Sequence, residues 1–155
     1  MPRKIKYPTD KQLELWQLKR DKLKGKEIAE RKKVTTGFVS KTLMDANERI
    51  RGLLEHAAHM NKITVEILSE EVGFARGTSA MLGGILCYIT FSPKNGVQVW
   101  YEHKGDCTNC EKFAMCKDIL LQEFKERNVK VDNPSMRPTD LTDLLFKTLE
   151  EMVET

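Results

Sequence analysis

The chain has 155 residues, 40% of them hydrophobic, and a net charge of +3, which suits one domain or two small ones sharing an interface. Its longest apolar stretch, Ala80 to Phe91, is interrupted by Gly83 and Gly84 and is too short to cross a bilayer as a helix. The basic start MPRKIKYPTD lacks an apolar core segment, so neither a membrane partner nor a signal peptide is expected, and the expected compartment is the reducing cytoplasm.

The net charge hides a division. Residues 1–52 carry 15 Lys/Arg and 7 Asp/Glu, a net +8, whereas residues 53–155 carry −5. A basic head on an acidic body points to an anionic partner for the head. The plainer alternative is lysines that only solvate helices.

In chain order, Thr9 or Asp10 caps a first helix from Lys11 to about Lys22, with Leu13 and Trp16 inward. Gly25 breaks it, and a short helix follows over Lys26 to Lys32 with Ile28 and Ala29 apolar. Val34 and Thr35 make a turn, and Thr36 caps a third, long helix. On that helix Val39, Leu43, Ala46, Ile50, Leu53, Ala57 and Met60 fall at steps of four and three. This heptad seam predicts homodimerisation through Leu43, Ala46, Ile50, Leu53, Ala57 and Met60, or packing of the same stripe on the protein's own body.

Beyond Asn61 the period becomes two. Ile63, Val65 and Ile67 alternate with polar residues, FARGTS reads as a second strand, and Ile85 to Phe91 and Val97 to His103 form a hairpin around Pro93 and Asn95-Gly96. Ile85, Cys87, Ile89 and Phe91 share one face. A helix then spans about Lys112 to Arg127. Residues 128–138 form a linker, and Thr139 or Asp140 caps a last helix bearing Leu141, Leu144, Leu145, Leu149 and Met152. The fold class is therefore α+β: a three-helix head with a long linking helix (residues 1–61), then a small antiparallel sheet with two C-terminal helices (residues 62–155).

The segment GKEIAERKKVTTGFVSKTL has the order of a helix-turn-helix. Ile28 and Ala29 anchor its first helix, Val34 plugs the turn, and Val39 holds the second helix from inside. Thr35, Thr36, Gly37, Ser40, Lys41 and Met44 are left facing outward, where they would meet base edges in a major groove. Lys26, Arg31, Lys32, Lys33, Arg49 and Arg51 are placed to reach phosphates. Through Thr9, Gln12, Leu18, Gly25, Glu27-Ile28-Ala29, Val34-Thr35, Val39-Ser40 and Arg49-Ile50, residues 8–54 resemble the helix-turn-helix of the archaeal Tfx-type regulators. They resemble more loosely region 4 of bacterial sigma factors and the LuxR class. One departure is Lys33, where many such turns have glycine.

The four cysteines are Cys87, on a strand, and the trio Cys107, Cys110 and Cys116 in the run CTNCEKFAMC. A tight trio plus one remote thiol is metal-site arithmetic rather than a disulfide framework. Zinc sites usually carry two Cys-x2-4-Cys pairs, and this chain has one; His103 is a spare ligand for zinc. The spacing is similar to that of the 4Fe-4S proteins of the WhiB class. That likeness implies an iron–sulfur cluster on all four cysteines, though the residues around them do not otherwise match. Iron–sulfur, Zn2+ and no metal stay open.

His56 and His59 read as a solvated pair, and Tyr88, Trp100 and Tyr101 as core. No phosphate loop, nucleophile motif or paired carboxylates appear, so no enzyme is expected. The expected function is a DNA-binding transcription regulator, its cluster acting as a redox or iron–sulfur sensor. The rivals are the same regulator with structural zinc, and a module that binds RNA polymerase or another protein.

Overall fold

The computed structural model describes residues 5–102, 113–133 and 135–154. Its elements are α1 (Asp10–Arg20), α2 (Gly25–Lys32), α3 (Thr36–Met60), β1 (Ile63–Ser69), β2 (Phe74–Ser79), β3 (Ile85–Ser92), β4 (Gly96–Tyr101), α4 (Phe113–Glu126) and α5 (Pro138–Glu154). The α+β order read from the sequence is the observed one. No described helix is long and apolar enough to cross a membrane.

Caps set the helix starts. Thr9 Oγ1 accepts from the Gln12 amide while Gln12 returns a bond to the Thr9 amide, a closed capping box that begins α1. Thr35, not Thr36, caps α3, its hydroxyl accepting from the Phe38 amide at 3.0 Å.

The strands form an antiparallel meander in the order β1-β2-β3-β4. Alternation along β3 sends Cys87, Ile89 and Phe91 to one face, where they meet Ala46, Ile50, Leu54 and Ala58 of α3. The other face carries Tyr88 and, from β2, Phe74. There α4 and α5 pack through Leu120, Phe124, Leu141, Leu145, Phe146 and Leu149. The protein is thus layered: α3, sheet, then α4 with α5. A third, smaller cluster of Leu15, Ile28, Ala29 and Val39 closes the three-helix head.

Head and body are not separate cores. Trp16 of α1 is buried against Phe91 in edge-to-face contact (centroids 5.5 Å apart), and its Nε1 donates to the Glu70 carbonyl at 3.0 Å. Gly73 makes the seat. Its φ is +75°, and a Cβ there would lie 2.7 Å from the Phe91 carbonyl oxygen and 3.2 Å from the Trp16 ring. The change of period near residue 61 is therefore a change of secondary structure inside one packed unit.

A buried ion pair holds α4 to the sheet. Glu123 and Arg127 side chains are fully enclosed and paired. Arg127 also donates to the carbonyl of Phe91 at 3.1 Å and, at longer range, to Gly73. Trp100 Nε1 donates to Thr90 Oγ1 at 2.9 Å, and that hydroxyl reaches Glu123 Oε1 at 3.4 Å. Most of the pair's hydrogen bonds are supplied in this way, with Arg127 Nε alone of its donors lacking a partner among the described residues, and the pair is tolerable in a dry site.

Candidate nucleic-acid interface and cysteine positions

The turn between α2 and α3 decides how the head is shaped. Lys33 lies in the left-handed region (φ 56°, ψ 46°), and the Val34 amide bonds back to the Ala29 carbonyl at 3.0 Å. The departure noted in the sequence is thus one of residue type only: the backbone adopts the conformation that glycine would take at that point. Val34 is half-buried against Ile28, Ala29 and Val39, which fixes the angle at which α3 leaves the turn.

The outward face of α3 is as the spacing predicts. Thr35, Thr36, Gly37, Ser40, Lys41 and Met44 are exposed at its N-terminal end. Beside them stands Phe38, 44% exposed, which sequence reasoning passed over. Its signal was present: Val39 is the inward anchor, and the next residue back lies about 100° round the helix.

The expected phosphate-reaching set divides in two. Lys26, Arg31 and Lys33 are exposed and make no ion pair among the described residues. The others are engaged. Lys32 pairs with Glu14, whose carboxyl is held low chiefly by that hydrogen bond. Arg49 donates to the Tyr7 carbonyl at 3.2 Å. Arg51 bonds Glu55 at 2.8 Å and Glu70 at 3.4 Å. Lys41, of the set expected at base edges, is likewise bonded to Asp45 at 3.0 Å along its own helix. Exposed pairs of this kind are worth little, so they orient these side chains more than they stabilise the fold.

The heptad seam is corrected. Ala46 and Ile50 are fully enclosed by the chain's own sheet, and Leu53 and Ala57 pack against the same cluster. Leu43 packs against the head cluster. Only Met60, 64% exposed, remains open. The stripe has the right period for a partner helix but is covered by β1, β3 and β4, because the chain itself supplies a nearer apolar face. Ala46 and Ile50 could meet a partner helix only if the core opened, whereas Leu43, Leu53 and Ala57 are half-buried.

The structure places two of the four cysteines. Cys87 is 0% exposed, lies on the α3 face of the sheet, and its thiol donates to the Gly77 carbonyl at 3.5 Å. Burial first, and Glu66 second, push that thiol upward from its ordinary pKa. Cys116 is half-buried in α4, in the layer on the opposite side of the sheet. It stands inside the helix rather than in a loop before it. Cys107, Cys110 and His103 lie outside the described residues. Among the described residues no group of three or more His, Cys, Asp or Glu side chains is arranged to hold a metal. Cys87 and Cys116 are carried in different layers, the one on the α3 face of the sheet and the other in α4 on the opposite side.

Sequence reasoning also missed how α4 meets the head. The Glu126 carbonyl, at the C-terminal end of α4, accepts from Gln17 Nε2 at 2.5 Å and from Arg20 Nη2 at 3.1 Å. Arg20 stacks over the Trp16 ring at 4.3 Å. Burial, then the neighbouring Arg127 charge, bring the Arg20 pKa down to about 9 against upward pulls from Glu126, Glu123 and Asp21. Asn128, just past α4, donates to Asp21 at 2.7 Å. These partners are more than 100 residues apart in sequence, so no local pattern announces them.

Comparison with protein families, curated proteins and solved structures gives no match to this chain.

Proposed function

We propose that this chain is a sequence-specific DNA-binding transcription regulator of the cytoplasm that sets the N-terminal turns of α3 into the major groove of duplex DNA. The observation that carries the reading is the exposed N-terminal end of α3, capped by Thr35, together with Lys26, Arg31 and Lys33, exposed cations of the same head that make no ion pair among the described residues. The positive end of a helix dipole and the free amides of the first turn add attraction for phosphate. Lys26, Arg31 and Lys33 supply affinity, and the outward residues of α3 supply discrimination.

A cysteine-ligated centre enters this proposal only with Cys107, Cys110 and Cys116, whose thiolates suit iron–sulfur chemistry or zinc. The element that joins Cys116 to the head is α4, whose far end bonds Gln17 and Arg20 of α1.

The test is binding to labelled duplex DNA, read by fluorescence anisotropy across a range of salt. Three neutralised phosphates per chain give a log–log slope of about −3. Replacing Lys26, Arg31 and Lys33 together by glutamine brings the slope close to zero. Binding that is absent at low salt, or insensitive to salt, refutes the reading and favours a protein-contact role for the head.

A further inference from the structure

We propose that α3 selects its DNA sites chiefly by the methyl groups of thymine, touched by Phe38 and Met44. The inference rests on the DNA-binding reading above and goes further, to what the helix reads.

The reading end of α3 is poor in groups that recognise bases by paired hydrogen bonds. From Thr35 to Asp45 there is no Arg, Asn or Gln, and Lys41 is the one residue of a type that makes bidentate bonds to guanine or adenine. The hydroxyl of Thr35 is engaged by the Phe38 amide, and the ammonium of Lys41 by Asp45. The polar groups left over are few: the hydroxyls of Thr36 and Ser40 and the remaining N–H donors of Lys41.

What this end holds instead is apolar surface. Phe38 is 44% exposed and Met44 59% exposed. Both stand next to side chains that pack in the head, Val39 buried and Leu43 half-buried against it, and neither belongs to a core cluster. The one apolar group on a base edge in the major groove is the C5 methyl of thymine. An exposed phenyl ring and a thioether chain on a helix flanked by lysine and arginine match that group. The neighbouring backbone is also open: a Cβ at Gly37 would meet nothing closer than Thr35 Oγ1 at 3.9 Å. The fold therefore does not demand glycine there, and its lack of a side chain lets the helix lie close to the base edges.

Geometry divides the two contacts. Six residues separate Phe38 from Met44, which puts them about 120° apart round the helix and about 9 Å apart along it. They stand on opposite shoulders of the strip that carries Gly37 and Lys41, so they meet two different thymine positions rather than one.

The experiment uses the full chain. A random duplex pool is taken through rounds of binding to identify the preferred site. Anisotropy then measures that site with deoxyuridine replacing each thymine in turn, a change that removes only the methyl group. Losing one buried methyl weakens binding about fourfold. The expected result is two thymine positions with that loss. Phe38→Ala removes the thymine–uracil difference at one position and Met44→Ala at the other. Circular dichroism of both variants matches the unaltered protein, since both side chains lie outside the core. Equal affinity for every uracil-substituted duplex overturns the thymine inference and leaves DNA binding standing. A pool with no preferred sequence also overturns it. No binding to the pool at low salt overturns the DNA-binding reading itself.

Discussion

Two glycines in α3 separate what the fold needs from what the proposed DNA contact needs. Gly37 and Gly52 both lie within Thr36–Met60, neither has a positive φ, and a Cβ at Gly52 would meet nothing within 4 Å. Alanine is better than glycine in a helix interior by about 0.8–1 kcal/mol, because the unfolded chain loses freedom and the helix gains no clash. Gly52 has more than two turns of α3 on each side, so Gly52→Ala gains close to that full amount. For a chain of this size, 1 kcal/mol raises the melting temperature by about 2–4 °C. Gly37 is the second residue of α3, where helix propensity counts for less, so Gly37→Ala gains under about 0.5 kcal/mol. In the proposed DNA complex its added methyl would stand where the helix approaches base edges. Displacing one such contact costs about 1 kcal/mol or more, a loss of at least about fivefold in DNA affinity. Thermal melts followed at 222 nm and anisotropy on one duplex read both effects. The expected pattern is a higher melting temperature with unchanged DNA binding for Gly52→Ala, and weakened binding without loss of stability for Gly37→Ala. The reasoning is refuted if Gly37→Ala binds as tightly as the parent, or if Gly52→Ala weakens binding equally.

Three further outcomes follow from the body of the protein. Arg127→Met strands Glu123 in a closed site and is expected to cost about 3–5 kcal/mol in urea unfolding, whereas Glu123→Leu combined with Arg127→Met recovers most of it; a loss under about 1 kcal/mol for the single change contradicts the pinning role. Gly77→Ala puts a Cβ 2.2 Å from the Thr64 carbonyl oxygen, so β1 must shift from β2, and a loss of about 3 kcal/mol is expected; a neutral melt would show that the strands yield freely. Cys87→Ala leaves the iron and zinc content of anaerobically purified protein unchanged and lowers stability by about 1–2 kcal/mol. Loss of metal from that variant would return Cys87 to the ligand set.

How much was legible in the sequence depends on the range of the interaction that decides each feature. The period of four and three along α3, the period of two after Asn61, and the Thr9 and Thr35-Thr36 capping signals are local, and they place the elements within a few residues. The inward choices of Ile28, Ala29 and Val39 also follow from local spacing, and they leave the exposed residues of α3 in view. Lys33 shows the limit of residue type as a signal, since its backbone takes a glycine-like conformation without glycine.

The sequence by itself determined the fold class, the helix-turn-helix order and the segregation of charge, because each rests on residues a few positions apart. Tertiary structure alone decided where those surfaces go. The seam of Ala46 and Ile50 has the same period whether it meets a second copy or its own sheet, and only the packing of β1, β3 and β4 over it closes the choice. Cys87 and Cys116 look like partners along the chain, yet strand alternation turns one thiol toward α3, while α4 carries the other in the layer beyond the sheet. The junction of Gln17 and Arg20 with the end of α4 joins residues more than 100 positions apart. Such a contact costs chain entropy that only the assembled core repays, so it leaves no trace in any local pattern.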